Sequence, residues 1–320
     1  MKKIAVNHIN KKLAEQMSYI ESTDEKYERK LRRAAEMIAD EHGERPIILL
    51  SGPSGSGKTT SALKIDNMLD EMGIHTYTIS MDDYFLPKGR FEELIDDNGK
   101  PDYESPLRID IPMLSEHMEK MLNFEEVVLP KFDFAHQTSH RGELFKRGKD
   151  DIIVFEGIHA LNPRVTGSAG DSARCMYVST RTRIELSDGT LVHPSLIRLM
   201  RRLVRDEKFR GRAPAQTLDM YDSVQRGEQK YIMPYKMRAE QTVDTDGRKI
   251  FSIDTFISYE PGVYKTLLLD KLRRESETYE GFERFGDMLR LLEEVDSVDL
   301  SLVKPTSLVR EFTGGSKYLD

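Results

Sequence analysis

The clearest chemistry in the 320-residue chain lies in Gly52-Pro53-Ser54-Gly55-Ser56-Gly57-Lys58-Thr59. Gly-x4-Gly-Lys-Thr is the spacing of a P-loop, in which glycines let backbone N–H groups converge on phosphate oxygens and the following helix turns its positive end toward the same anion. Lys58 then stands to bridge the β- and γ-phosphates, and the Thr59 hydroxyl to coordinate Mg2+. The expected nucleotide site is Gly52, Ser54, Gly55, Ser56, Gly57, Lys58, Thr59 and Thr60. A chance glycine-rich loop is the competing reading. The setting speaks against it, because residues 47–50 form an apolar run suited to a strand buried on both faces and the chain from Thr59 reads as helix.

Acidic residues follow at the ends of two further strands. Residues 74–80 alternate and deliver Met81-Asp82-Asp83-Tyr84-Phe85 to the carboxyl end of a sheet, where open α/β folds place ligands. Adjacent acids there suit a solvated turn or a helix cap, yet one βα unit after a P-loop they also stand where a phosphoryl acceptor needs a base. Residues 151–156 read as a second strongly buried strand ending in Glu156, a position for holding Mg2+ or its water; a helix N-cap is the alternative.

Arg198, Arg201, Arg202 and Arg205 recur at helical spacing, with Leu196, Ile197, Leu199, Leu203 and Val204 on the opposing side. A solvated face would show the same pattern. The run ends in Arg210-Gly211-Arg212, a flexible element able to swing guanidinium groups over transferring phosphates, which favours function. Residues 131–141 combine Phe132, Phe134, His136, His140 and Arg141 with little periodicity and read as a loop suited to a substrate wall, an ordinary solvated surface being the equal alternative.

The elements around these residues are helical at both ends of the chain. Residues 11–41 read as two amphipathic helices broken near Ser22-Thr23-Asp24, with Thr23 or Asp24 capping the second. They suit an appendage packed on the core, a partner-binding arm being the alternative. Asp96-Asp97-Asn98-Gly99 marks a turn, and a loop over 100–110 leads into a helix over 113–124. Residues 175–179 form a strand, and 183–192 a hairpin around Ser187-Asp188-Gly189. Residues 228–244 suggest a helix, a proline break and one strand, and 249–259 a pair of strands. Two amphipathic helices follow over 261–295, and the tail from Asp296 is loop with one short apolar segment.

Hydrophobic residues at 38% are ample for a core, and 32% charged residues imply long solvated helices around it. The net charge of -7 disfavours a general nucleic-acid or membrane-surface binder. Cys175, the only cysteine, reads as core; it excludes a disulfide within the chain and fits a reducing compartment. No apolar run approaches a transmembrane span and no signal-peptide h-region is present, so a cytoplasmic location is expected.

Taken in order, the motifs resemble the uridine kinase and phosphoribulokinase family of P-loop kinases, and most closely its bacterial uridine kinase-like nucleoside kinases. The resemblance covers about residues 47–243. It rests on the P-loop at 52–60, Met-Asp-Asp-Tyr-Phe at 81–85, Tyr-Glu-Ser-Pro at 103–106 with Asp110, and Phe-Asp-Phe at 132–134. Phe-Glu-Gly-Ile at 155–158, Arg-Arg-Leu-Val-Arg-Asp at 201–206 with Arg-Gly-Arg ending at 212, and Tyr-Ile-Met-Pro-Tyr-Lys at 231–236 complete it. The resemblance implies transfer of the γ-phosphoryl of ATP to the 5'-hydroxyl of a nucleoside. By it, Asp82 looks like the base, Lys58 and Arg205 join it in catalysis, and Glu156 with Thr59 looks like the Mg2+ site. Arg210 and Arg212 match arginines over the nucleotide, and the implied substrate contacts are Asp82, Tyr84, Glu104, Phe132, His140, Arg141 and Arg202. Glu104 stands where uridine kinases usually have an aspartate that binds the ribose. Phe132 replaces a usual tyrosine and Met220 a usual glutamine, removing polar contacts to a base.

The expected fold is an α/β P-loop NTPase fold, a mainly parallel sheet flanked by helices, with an arginine-bearing helical lid and helical N- and C-terminal extensions. The expected organisation is a helical extension over 1–45, a kinase domain over 46–245, and a strand-and-helix extension over 246–320 packed on it. ATP, Mg2+ and a small-molecule substrate are the expected partners; nucleic acid and membrane are not, and a homo-oligomer is left open. Two other readings stand beside the nucleoside kinase. One is a kinase of another hydroxyl substrate, phosphoribulokinase- or pantothenate kinase-like, which the aromatic wall at 132–134 suits less well than a planar base. The other is a non-catalytic ATP-binding regulatory module, which needs neither Asp82 nor the arginines.

Overall fold

The computed structural model describes residues 2–90, 94–95, 99, 102–134, 136–167, 173–243, 247 and 249–319. β1 (Lys3–Ala5), α1 (Val6–Leu13) and α2 (Gln16–Glu41) precede the P-loop unit of β2 (Ile47–Ser51) and α3 (Lys58–Glu71). β3 (Thr76–Ser80), α4 (Ile111–Leu122), β4 (Glu126–Asp133), β5 (Thr138–Lys146) and β6 (Ile152–Glu156) follow. Next are α5 (Pro163–Thr166), β7 (Arg174–Ser179), β8 (Arg183–Glu185), β9 (Leu191–Val192), α6 (Pro194–Arg210), α7 (Pro214–Asp219) and α8 (Tyr221–Gly227). The chain closes with β10 (Ser252–Asp254), α9 (Glu260–Thr278), α10 (Gly286–Glu294) and α11 (Arg310–Thr313).

The central sheet has five parallel strands in the order β10-β7-β2-β6-β3. Every side chain of β2 and β6 is buried, as strands covered by helices on both faces require. Their register decides where the chemistry gathers. Leu50 and Ser80 both lie opposite Glu156, so the segments after β2, β3 and β6 leave the sheet along one carboxyl edge.

Both ends of the chain pack into this body. β10 is the edge strand beside β7, and α2 lies along α3, where Glu28 accepts from Lys64 at 2.6 Å. One hydrophobic cluster runs from Val6 to Phe312.

Four expectations change. α2 runs unbroken through Ser22-Thr23-Asp24, and the break falls at Ala14-Glu15. The polar trio is tertiary glue: Thr23 Oγ1 meets Ser258 Oγ at 3.3 Å, and Asp24 Oδ1 accepts from Tyr259 and Ser307. Burial pushes the Asp24 carboxyl up to about 6 against those hydrogen bonds. Residues 131–141 are a hairpin, β4 pairing antiparallel with β5; most side chains of β5 face solvent, which hides its period. Over 228–244 a π-helical turn, Glu228–Ile232, runs into a 3-10 helix, Met233–Ala239, and among the described residues beyond it Val243 forms an isolated bridge with Lys249 in place of a strand. Residues 249–259 hold a single strand, β10. The turn expected at 96–98 lies outside the described residues. The hairpin over 183–192 forms as expected, with β1 added parallel to β8.

Candidate active site

Residues 52–57 arc from β2 into α3. Gly55 and Gly57 adopt φ of +73° and +84°, the left-handed region that favours glycine. A Cβ on Gly57 would fall 2.5 Å from Leu308 Cδ1. Three successive carbonyls of the loop are held from outside: Arg198 Nη1 donates to Ser54 O at 3.3 Å, Arg201 Nη1 to Gly55 O at 3.1 Å, and Thr255 Oγ1 to Ser56 O at 2.7 Å. With those carbonyls engaged, the N–H groups are left for an anion. The buried Ser56 and Thr60 hydroxyls have no partner among the described residues. Two donors are already taken: Ser56 N–H donates to Pro53 O at 3.1 Å, and Thr60 N–H to Glu311 Oε2 of α11 at 3.1 Å.

Lys58 stands among three carboxylates from three segments, Asp82 after β3, Glu104 in the loop before α4, and Glu156 at the end of β6. Its charge favours the ionised form of each. Burial works the other way and is the larger effect. It raises the Asp82 carboxyl, with Lys58 and then Arg210 and Arg205 opposing. It pushes Glu104 up to about 7 against the pull of Arg202 and Lys58, and Glu156 up to about 7 against that of Lys58. Buried carboxylates so perturbed around one lysine form a candidate functional site.

Local structure explains the placement of each acid. Ser80 Oγ caps the 3-10 turn Met81–Tyr84 by accepting from Asp82 N–H, and it donates to Glu156 Oε1 at 3.3 Å. Asp83 points the other way: it accepts from Phe132 N–H at 3.2 Å and from Lys131 Nζ at 3.0 Å, tying β4 to the turn. Asp102 accepts from Glu104 N–H at 3.1 Å and from the Tyr231 hydroxyl at 2.7 Å. Gly227 lets Glu104 approach, because a Cβ there would lie 2.2 Å from Glu104 Cβ.

The arginines of α6 divide. Arg198 pairs with Glu228 at 2.6 Å, and Arg201, with no exposed surface, pairs with Glu260 through Nε at 2.7 Å and Nη2 at 2.9 Å. Both brace the P-loop rather than cover a phosphate. Arg202 and Arg205 face the acids instead. Arg202 is buried, its Nε has no partner among the described residues, and burial with Arg205 nearby lowers its guanidinium to about 10. Arg205, Arg210 and Arg212 share Asp206, at 3.3, 3.1 and 3.6 Å. The expected swinging element is thus the ion-paired C-cap of α6, with Gly211 at φ +62°.

Four expected substrate contacts, Tyr84, His140, Arg141 and Phe132, stand among other neighbours. The buried Tyr84 hydroxyl meets His117 Nδ1 at 3.0 Å, on α4. His140 and Arg141 are exposed on β5, opposite Lys131 and Pro130. Phe132 is buried edge-on against Phe85 and Phe134, so the aromatic surface open to solvent there is Phe134.

Sequence reasoning passed over His159. Its ring is 1% exposed, no hydrogen bond of good geometry reaches either nitrogen among the described residues, the Glu104 backbone is a polar neighbour, and it lies near Lys58, edge-on to Tyr231 at 6.2 Å. Burial lowers its pKa to about 4, so it is a neutral imidazole at ordinary pH. The available signal was its position, three residues past Glu156 on the same carboxyl edge.

Among the described residues no group of three or more His, Cys, Asp or Glu is arranged to hold a metal alone. Thr59 and Glu156 offer one hydroxyl and one carboxylate, hard oxygen donors of the kind that hold Mg2+ together with substrate phosphates.

Residues 47–249 match the Phosphoribulokinase / Uridine kinase family. A uridine kinase of Geobacillus kaustophilus is 28% identical over 220 residues, covering 68% of this chain and 94% of that protein. A uridine kinase of Lactobacillus johnsonii is 28% identical over 225 residues, covering 70% and 98%. Among solved structures, D-glycerate 3-kinase from Cryptococcus neoformans aligns over 88% of this chain and 87% of that one, with 15% identity and a TM-score of 0.32.

Proposed function

The chain belongs to the phosphoribulokinase and uridine kinase family and is an ATP-dependent kinase of a small-molecule alcohol; from that premise we propose that it phosphorylates the 5'-hydroxyl of a nucleoside. The observation that carries the site assignment is the gathering of Asp82, Glu104 and Glu156 around Lys58 at one sheet edge. Phosphoryl transfer asks the protein mainly for positioning and charge neutralisation.

In this reading the loop over 52–60 cradles the phosphates, with Lys58 on the β- and γ-oxygens. Thr59 and Glu156 would hold Mg2+, which neutralises charge on the transferring group. Asp82, freed from structural duty by Asp83, accepts the proton of the attacking hydroxyl. Arg202, Arg205 and Arg210 face the same space and neutralise charge on the γ-phosphoryl. Glu104 and His159 supply hydrogen-bond partners for further hydroxyls of the acceptor. Phe134 with Phe85 offers an apolar face to a planar base. Met220 beside Arg212, at 3.6 Å, brings no polar group to it.

The test is ADP release with ATP and Mg2+ against a panel of nucleosides, ribulose 5-phosphate and pantothenate, with Lys58→Ala as the inactive control. Stimulation by one nucleoside, absent in the control, supports the reading. Stimulation only by ribulose 5-phosphate or pantothenate moves the substrate class, and ATP binding without turnover on any acceptor favours a regulatory module.

A further inference from the structure

A groove of about 790 Å3 opens on the N-terminal elements, lined by β1, α1, α2 and the segment after β10. It shares no residue with the P-loop or its acids. In a chain of net charge -7, it carries seven lysines and arginines and a single acid, Glu15.

Four of the cations, Lys26, Arg29, Lys30 and Arg33, stand on one face of α2 at three- and four-residue spacing. Like charges so placed destabilise a helix unless an anion lies between them. Lys2, just before β1, and Lys3, in β1, line the same groove. Lys3 is paired with Glu185 and Arg29 with Glu25, and Lys30 donates to Asp254 O at 2.7 Å. Lys2, Lys12, Lys26 and Arg33 have no carboxylate partner among the described residues. The floor is polar too: the Tyr19 hydroxyl donates to Ser258 Oγ at 2.7 Å, and Thr23 Oγ1 lies 3.3 Å from the same atom. Burial lowers the Lys30 ammonium, with Lys2 and Arg181 adding to the effect against Asp254.

We infer that this groove binds a soluble small molecule bearing two or more phosphates, at a site separate from the P-loop. Its volume lies in the range of small-molecule sites. Its cations converge from two walls on one recess, which suits a compact polyanion better than the flat surface of a membrane. The occupant would rest on the helix that holds the P-loop. Tyr27, on the groove wall, donates its hydroxyl to Ser61 Oγ at 2.7 Å, and Ser61 Oγ donates to Gly57 O at 2.6 Å.

The test uses the full chain with inorganic triphosphate as probe, read by lysine acetylation and peptide mass spectrometry. The expected result is that triphosphate slows acetylation of Lys12 and Lys26 several-fold while exposed Lys149 is unchanged. Orthophosphate should protect less, and added salt should remove the protection. The double variant Lys26→Glu, Arg33→Glu changes two exposed, unpaired side chains, so its basal turnover should match the parent. In it, protection of Lys12 should require at least about tenfold more triphosphate, from losing two charge contacts. Unchanged acetylation of Lys12 and Lys26 at saturating triphosphate overturns the inference, as does protection that the double variant leaves intact. Protection by phosphatidylglycerol vesicles but not by triphosphate overturns it in favour of a membrane surface.

Discussion

Arg201 Nη1 donates to the Gly55 carbonyl at 3.1 Å from a guanidinium that two oxygens of Glu260 hold in place. The brace joins α6, α9 and the P-loop in one buried contact. Arg201→Ala leaves Glu260 buried and uncompensated, and denaturant unfolding should register a loss of about 3–5 kcal/mol. Arg201→Lys keeps a charge but lacks the planar fork. Its expected signature is a raised KM for ATP with a smaller loss of stability. An unchanged KM would mean that the loop keeps its shape without the brace.

Asp82 and Asp83 are neighbours with different work. Asp82→Asn should lower kcat by about 10²–10⁴, the range for a general base, while ATP binding stays nearly intact. Asp83→Asn weakens the tie to Lys131 and Phe132. It should affect hairpin stability and acceptor KM more than kcat. Equal losses of kcat in the two variants would remove the distinction.

Glu104 gives a pH prediction. Its carboxyl, near 4.5 when unfolded, is held at about 7 in the fold. The native state therefore binds the proton more tightly across that window, and this group's contribution to stability is lost as pH rises through about 7. Glu104→Gln should flatten that fall, measured as Tm against pH from 5 to 8. Acceptor binding runs the other way: hydroxyl donors favour the ionised carboxylate, so acceptor KM should decrease as pH rises past about 7 in the parent and not in the variant.

His159→Phe keeps an aromatic ring, slightly larger than the imidazole, without ring nitrogens. If the imidazole serves the acceptor, acceptor KM rises about tenfold while KM for ATP is unmoved, as expected for a lost buried hydrogen bond. A more stable protein with unaltered acceptor KM would identify the ring as packing alone. Because burial keeps the imidazole neutral down to about pH 4, its effect should not vary between pH 6 and 8.

The P-loop was legible because its information is local: glycine conformation, a following helix and one lysine. Asp82 and Glu156 were legible because strand ends in a parallel sheet share an edge, which the register of Ser80 with Glu156 realises. What stayed hidden depends on distant partners. The spacing of Arg198, Arg201, Arg202 and Arg205 shows one helix but not that the first two turn to Glu228 and Glu260 while the others face the acids. Thr23 and Asp24 carry the chemistry of a cap, and only Ser258, Tyr259 and Ser307 reveal their use. His159 offers no pattern at all, since a lone histidine acquires meaning from the unsatisfied space around its ring.

The contact between Glu311 and Thr60 bears on how the catalytic cycle closes. A carboxylate tethered on α11 is an intramolecular competitor, held at a fixed effective concentration beside a donor that a nucleotide phosphate would also seek. If the loop cradles a nucleotide as proposed, a phosphate that takes this N–H would displace the carboxylate, and its departure would return the N–H to it. In the proposed reading, that exchange would lower nucleotide affinity and ease release of product, so that Glu311 on α11 would help to set the pace of turnover.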